Sequence, residues 1–199
     1  MKPKLSFEKL LREVFQPLLD KIADFLAGRG ITANQVTQIG LGGTIAAAVL
    51  IALGRHFWGG LLLAMMAPLD AIDGTLARRT GQIGPFGAFL DSTIDRYEEW
   101  LIFGALTLFY FQNNNQPGLI ISLIALGGAF LVSYTRARAE ALGFNAKVGV
   151  GTRVERMVIV VLGLLLNLAL YAVGIIAILA HATAIQRILT VFAQSKKRA

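Results

Sequence analysis

A chain of 199 residues that is 55% hydrophobic and only 16% charged is too apolar for a soluble domain. It has no cysteine, which excludes disulfides and thiolate metal sites. The net charge of +7 sits beside apolar runs, so it reads as anchoring at an anionic leaflet and not as a nucleic-acid footprint.

In chain order, residues 5–26 place Leu5, Phe7, Leu10, Leu11, Val14, Phe15, Leu18, Leu19, Ile22, Phe25 and Leu26 at helical spacing, with Lys9, Arg12, Asp20, Lys21 and Asp24 on other faces. The pattern predicts an interfacial amphipathic helix on the membrane, kinked at Pro17, and not a cleavable signal peptide. Residues 33–53 form an uncharged run of spanning length with a polar start at Asn34, Gln35, Thr37 and Gln38. A second span runs over 57–78, and Gly81, Gly84 and Pro85 break the chain before a third over 86–111.

An uncharged polar loop at 112–118 leads to a fourth span over 119–135, and then to a basic stretch with Arg136, Arg138, Lys147, Arg153 and Arg156. Residues 157–186 carry no charge. One helix of that length would reach about 45 Å against a hydrocarbon core of about 30 Å, so the run divides near 167–171 into a fifth and a sixth span. The predicted fold is an all-α integral membrane protein of one domain. It has a juxtamembrane helix within 1–30, six transmembrane helices within 31–194 and a basic tail at 195–199.

With six spans, Arg55 stands alone on one side, and the Lys and Arg of the N-terminal segment, the 78–86 and 136–156 loops and the C-terminus crowd the other. The positive-inside rule puts the crowded side and both termini in the cytoplasm.

Residues 70–95 hold four acids among apolar segments, Asp70, Asp73, Asp91 and Asp95, together with Gly74, Ala77, Arg78 and Gly87. On helices, Asp70 and Asp73 form an i,i+3 pair and Asp91 and Asp95 an i,i+4 pair, each sharing one face. Carboxylates inside a membrane cost about 2.5 to 3.5 kcal/mol each, a burden that bound cations remove. The two histidines, His56 and His181, are far apart in sequence, which leaves oxygen ligands and therefore Mg²⁺ or Mn²⁺.

The spacing D-x2-D-G-x2-A-R-x8-G-x3-D-x3-D resembles the signature of the CDP-alcohol phosphotransferase (CDP-alcohol phosphatidyltransferase) family. The resemblance implies displacement of CMP from a CDP-linked lipid such as CDP-diacylglycerol by an alcohol hydroxyl. It implies two divalent ions held by Asp70, Asp73, Asp91 and Asp95, with Asp95 also the general base. Asn34, Thr37, Gly74 and Arg78 are then expected at the CDP-lipid, and the chain is expected to be a homodimer.

The basic stretch, SYTRARAE followed by TRVER, resembles the synthases of phosphatidylinositol phosphate and archaetidylinositol phosphate within that family. This implies that Arg136, Arg138, Arg153 and Arg156 hold the phosphate of a phosphorylated polyol acceptor, inositol phosphate. The alternatives are glycerol 3-phosphate as acceptor, giving phosphatidylglycerol phosphate, and, remotely, an ion transporter. Transport predicts acids spread through the membrane depth, whereas these gather at one end of spans two and three.

Overall fold

The computed structural model describes residues 7–198, with side chains from residue 15 onward. Its described residues form seven helices: α1 (Phe7–Ala27), α2 (Ala33–Ala52), α3 (His56–Thr80), α4 (Pro85–Gln112), α5 (Gln116–Ala141), α6 (Arg153–Leu165) and α7 (Ala169–Ser195). Leu5 and the side chains of Phe7, Lys9, Leu10, Leu11, Arg12 and Val14, all named in the sequence pattern, lie outside the described residues, as does the last residue of the basic tail.

Helix α1 continues through Pro17 and lies along α3. Its Leu19 and Ala23 are buried with Ile72 and Leu76 of α3 and Val36 of α2, while Phe15, Leu18 and Phe25 stay exposed. A helix that buries one apolar edge in protein and leaves another outside suits a membrane interface. Arg79, at the end of α3, fixes the pairing with a two-pronged contact to Asp24, Nε donating at 2.5 Å and Nη2 at 2.7 Å.

Helices α2 to α7 close a ring in the order α2, α3, α6, α7, α5, α4, each packing chiefly on its two neighbours. Small residues set these contacts, as expected where packing rather than water drives helix association. A Cβ on Gly60 would lie 2.8 Å from Leu164 Cβ, and one on Gly163 would lie 2.3 Å from Ala172 Cβ, so α3, α6 and α7 touch through glycine. The ring encloses one apolar core that includes Ile51, Leu63, Ile102, Leu106, Val160, Leu164, Val173 and Ile176.

Four helices, α2, α3, α5 and α7, are long and apolar enough to cross a membrane. Helices α2 to α7 follow the order of the six expected spans, but α4 and α6 are not among the four of spanning length and apolarity. Helix α4 has 28 residues, yet Asp91, Asp95, Arg96, Glu98 and Glu99 fall within its N-terminal part. Helix α6 has 13 residues, about 20 Å, which is short of a hydrocarbon core. The break after it falls at residues 166–168, where Asn167 takes φ +57°.

The fourth span also ends later than expected. Helix α5 runs to Ala141, so Arg136 and Arg138 sit on its last turns and not in a loop. The loop that follows is tied to α7. Asn145 N–H donates to Gln194 Oε1 at 3.1 Å, Gly151 N–H donates to Thr183 Oγ1 at 2.9 Å, and Arg187 Nε donates to the Val148 carbonyl at 3.0 Å. Gly149, at φ +116°, presses against Thr183 where a Cβ would lie 2.2 Å from Cγ2. This strapped loop fixes where α6 begins, and with it the direction of Arg153.

Candidate active site

Three helices converge at the end of the ring that carries the motif. Helix α3 brings Asp70, α4 brings Asp95 and Glu98, and the first residue of α6 is Arg153. Carboxylate oxygens of Asp70, Asp95 and Glu98 lie within 4.8 Å of one another, a spacing from which three ligands can reach one ion. The guanidinium of Arg153 lies among all three. It contacts Asp70 and Glu98 directly and reaches Asp95 Oδ1 at 2.8 Å.

This donor set fits a hard divalent cation. The ligand atoms are all carboxylate oxygens, and a cationic group already stands between them. The geometry does not keep Asp70 and Asp73 together as a pair. Asp73 is buried and turned towards α2, where Thr37 Oγ1 donates to its Oδ2 at 2.6 Å. Asp91 lies one turn before Asp95 and is exposed, outside the group of three.

Of the residues expected at the CDP-lipid, Asn34 is exposed on the first turn of α2. Thr37 is buried with its hydroxyl engaged by Asp73 and the Ala33 carbonyl, so it holds a carboxylate in place. Gly74 leaves space that only the Arg78 guanidinium borders, at 3.6 Å from where a Cβ would be. Arg78 donates through Nη2 to Thr75 Oγ1 at 2.9 Å, and among the described residues the rest of its guanidinium makes no further hydrogen bond, which leaves it able to meet a phosphate.

The four arginines expected to hold an acceptor phosphate separate into different environments. Arg136 and Arg138 are exposed, with Arg136 Nε at 3.0 Å from Glu140 Oε1. Arg153 is in the acidic cluster. Arg156 is fully buried, with Nε 2.9 Å and Nη2 2.5 Å from Glu99 Oε1 and Nη1 donating to the Gly151 carbonyl at 2.5 Å. Every terminal nitrogen of Arg156 is therefore occupied within the protein.

From the sequence, Arg96, Glu98 and Glu99, which follow directly on the motif, could tune the site but read first as internal ion pairs, and Glu98 goes further. It stands three residues after Asp95, and the run Asp91, Asp95, Glu98 repeats one helix face, which is the signal that could have placed it in the site. Glu99 keeps the expected role, pairing with Arg156 and with Arg96 Nε at 3.3 Å.

A family model for CDP-alcohol phosphatidyltransferases matches residues 30–186. Across almost the whole length, the chain is 39% identical to the archaetidylinositol phosphate synthase of Pyrococcus horikoshii, covering 96% of each. It is 35% identical to the phosphatidylinositol phosphate synthase of Streptomyces avermitilis, covering 96% of this chain and 85% of the relative. Its fold matches that of the Mycobacterium tuberculosis phosphatidylinositol phosphate synthase solved with CDP-DAG bound, at TM-score 0.82 and 30% identity over 88% of this chain and 94% of the other. The same enzyme solved with manganese and citrate gives TM-score 0.82 and 30% identity over 87% of this chain and 88% of that one.

The chain thus belongs to the CDP-alcohol phosphatidyltransferase family. It is a transferase of phospholipid synthesis.

Proposed function

We propose that this enzyme transfers the lipid phosphate of CDP-diacylglycerol, or its ether counterpart, to a hydroxyl of inositol phosphate. The products are CMP and a phosphatidylinositol phosphate-type lipid. The observation that carries the acceptor is the position of Arg153. Its guanidinium reaches Asp95 Oδ1 at 2.8 Å, so a group suited to an acceptor phosphate stands beside the carboxylate best placed to take the acceptor's proton. The full-length likeness to two inositol phosphate lipid synthases points the same way.

In this reading Asp70, Asp73, Asp91 and Asp95, with Glu98, hold two divalent ions, Mg²⁺ or Mn²⁺. Bound there, the ions would neutralise the diphosphate and stabilise the departing CMP. Thr37 keeps Asp73 turned inward. Asn34, Gly74 and Arg78 receive the cytidine diphosphate end of the donor, the glycine by leaving room and the arginine by pairing with phosphate. Asp95 removes the proton from the attacking hydroxyl. Arg136, Arg138 and Arg153 face the acceptor phosphate, and Arg156 supports the floor behind them through Glu99.

Helices α4 and α6 complete a six-helix membrane domain, because Glu98 and Glu99 of α4 are buried within the ring and α6 continues into α7 across a tight turn. The active end and both termini face the cytoplasm, and two copies pair in the membrane.

The test is CMP release by the purified enzyme in lipid, with CDP-diacylglycerol, a divalent metal and a panel of acceptors. Inositol phosphate should support turnover at least tenfold above free inositol, since each lost charge-assisted contact to phosphate is worth about 1.5 to 3 kcal/mol, and also above glycerol 3-phosphate, which keeps the phosphate but lacks the ring and its hydroxyls. Faster turnover with glycerol 3-phosphate would transfer the assignment to phosphatidylglycerol phosphate synthesis.

A further inference from the structure

The end of the ring opposite the acids holds a cavity of about 250 Å³, lined by Gly54, Arg55, His56, Phe57, Trp58, Leu164 and Asn167. It is smaller than the roughly 300 to 1,000 Å³ of pockets for drug-sized ligands, and of a size for a headgroup. We propose that this cavity binds the anionic phosphate headgroup of a membrane phospholipid, at a site separate from the transfer chemistry.

Its donors point to an anion. Helix α3 begins here, and its N-cap residue Arg55 makes no side-chain cap. The first amide of the turn with a partner is that of Gly59, donating to the Arg55 carbonyl at 2.9 Å. Among the described residues the amides of His56, Phe57 and Trp58 are left open, and all three residues line the cavity. Such a turn attracts negative charge through free N–H groups and the helix dipole.

A second observation is independent of the helix end. His56 is 9% exposed; the Asn167 side chain lies beside its ring, but its Nε2 is buried without a hydrogen bond of normal geometry among the described residues. The ring is held edge-on against Phe109, with centroids 4.3 Å apart. A buried polar nitrogen calls for a partner, and an acceptor in this cavity would meet the Nε2–H tautomer.

Charge and surroundings narrow the class. Arg55 is exposed and is the one basic residue at this end. No Asp or Glu occurs at residues 25–69, 100–139 or 156–199, the segments that build it, so no carboxylate competes for the donors. Phe57 and Trp58 are 52% and 58% exposed on the outer wall, where the acyl chains of a lipid would lie. Free phosphate would use the donors but not the aromatic wall.

The chain has two tryptophans, Trp58 and Trp100, so Trp100→Phe makes Trp58 the sole reporter. This protein is placed in phosphatidylcholine nanodiscs doped with brominated phosphatidylglycerol or brominated phosphatidylcholine, and quenching of Trp58 is followed. The anionic lipid should quench at about tenfold lower mole fraction, corresponding to about 1.4 kcal/mol. Arg55→Gln and Asn167→Gly should each reduce that preference while helicity and CMP release stay unchanged, glycine keeping the positive φ of position 167. Equal quenching by the two lipids, or a preference that survives both substitutions, would overturn the proposal. So would protection by inorganic phosphate without any lipid preference, which would give the site to the free ion.

Discussion

Arg153 and Arg156 stand one helical turn apart, and the same sequence argument put both on an acceptor phosphate. Their surroundings separate them. Arg156 and Glu99 are each 1% exposed, and Arg156 Nε and Nη2 both donate to Glu99 Oε1, so removing the arginine leaves that carboxylate oxygen buried without its partners. Arg156→Ala should destabilise the protein by about 3 to 5 kcal/mol. The double replacement Arg156→Met with Glu99→Leu should recover most of that, as read by thermal unfolding in detergent. A destabilised double variant would mean that the pair supplies more than its own neutralisation.

At Asp95, Asn keeps the shape and removes the proton acceptor. Asp95→Asn should lower turnover by about a hundredfold or more with donor binding retained, and near-normal turnover at saturating metal would require another base. The acids of the motif were readable because their spacing is local. The hydroxyl of Thr37 on Asp73 was not, because 36 residues separate them and only the packing of α2 on α3 brings them together.

Helix boundaries followed from composition where polar and apolar segments alternate sharply. The sequence located α2, α3 and α4 within a few residues, and it required a break in the uncharged run that the structure places at residues 166–168. It ended α5 too early because Arg136 and Arg138 look like loop residues, although basic side chains suit a helix C-terminus. It also could not show that α6 is only 13 residues long, since hydrophobicity alone does not say where a helix starts.

The contact of α3 with α6 matters for the chemistry because the two helices carry Asp70 and Arg153. Gly60→Ala puts a Cβ 2.8 Å from Leu164 Cβ and 3.2 Å from the Leu165 amide, so the helices must part. A cost of about 1 to 3 kcal/mol and a loss of turnover are expected. Gly127→Ala, which meets nothing within 4 Å, should be neutral or slightly stabilising and leave turnover unchanged. Equal effects in the two variants would show that close approach at Gly60 does not position the site.

At the scale of the whole molecule, the ring gathers the acids and nearly all basic residues at one end and leaves Arg55 at the other. With no native cysteine, single cysteines at Asn114 and Ser195 report orientation directly. An impermeant thiol reagent outside intact cells should label position 114 and spare position 195; labelling at 195 would invert the assignment.

The ring's main consequence for function is that a cationic side chain from α6 meets carboxylates from α3 and α4. The most direct measurement of what that meeting is for is the steady-state kinetics of Arg153→Ala at saturating metal. The apparent KM for inositol phosphate should rise by about tenfold or more while that for CDP-diacylglycerol stays within about twofold. An unchanged KM for inositol phosphate, with the loss appearing only in folded yield, would contradict a role for Arg153 at the acceptor.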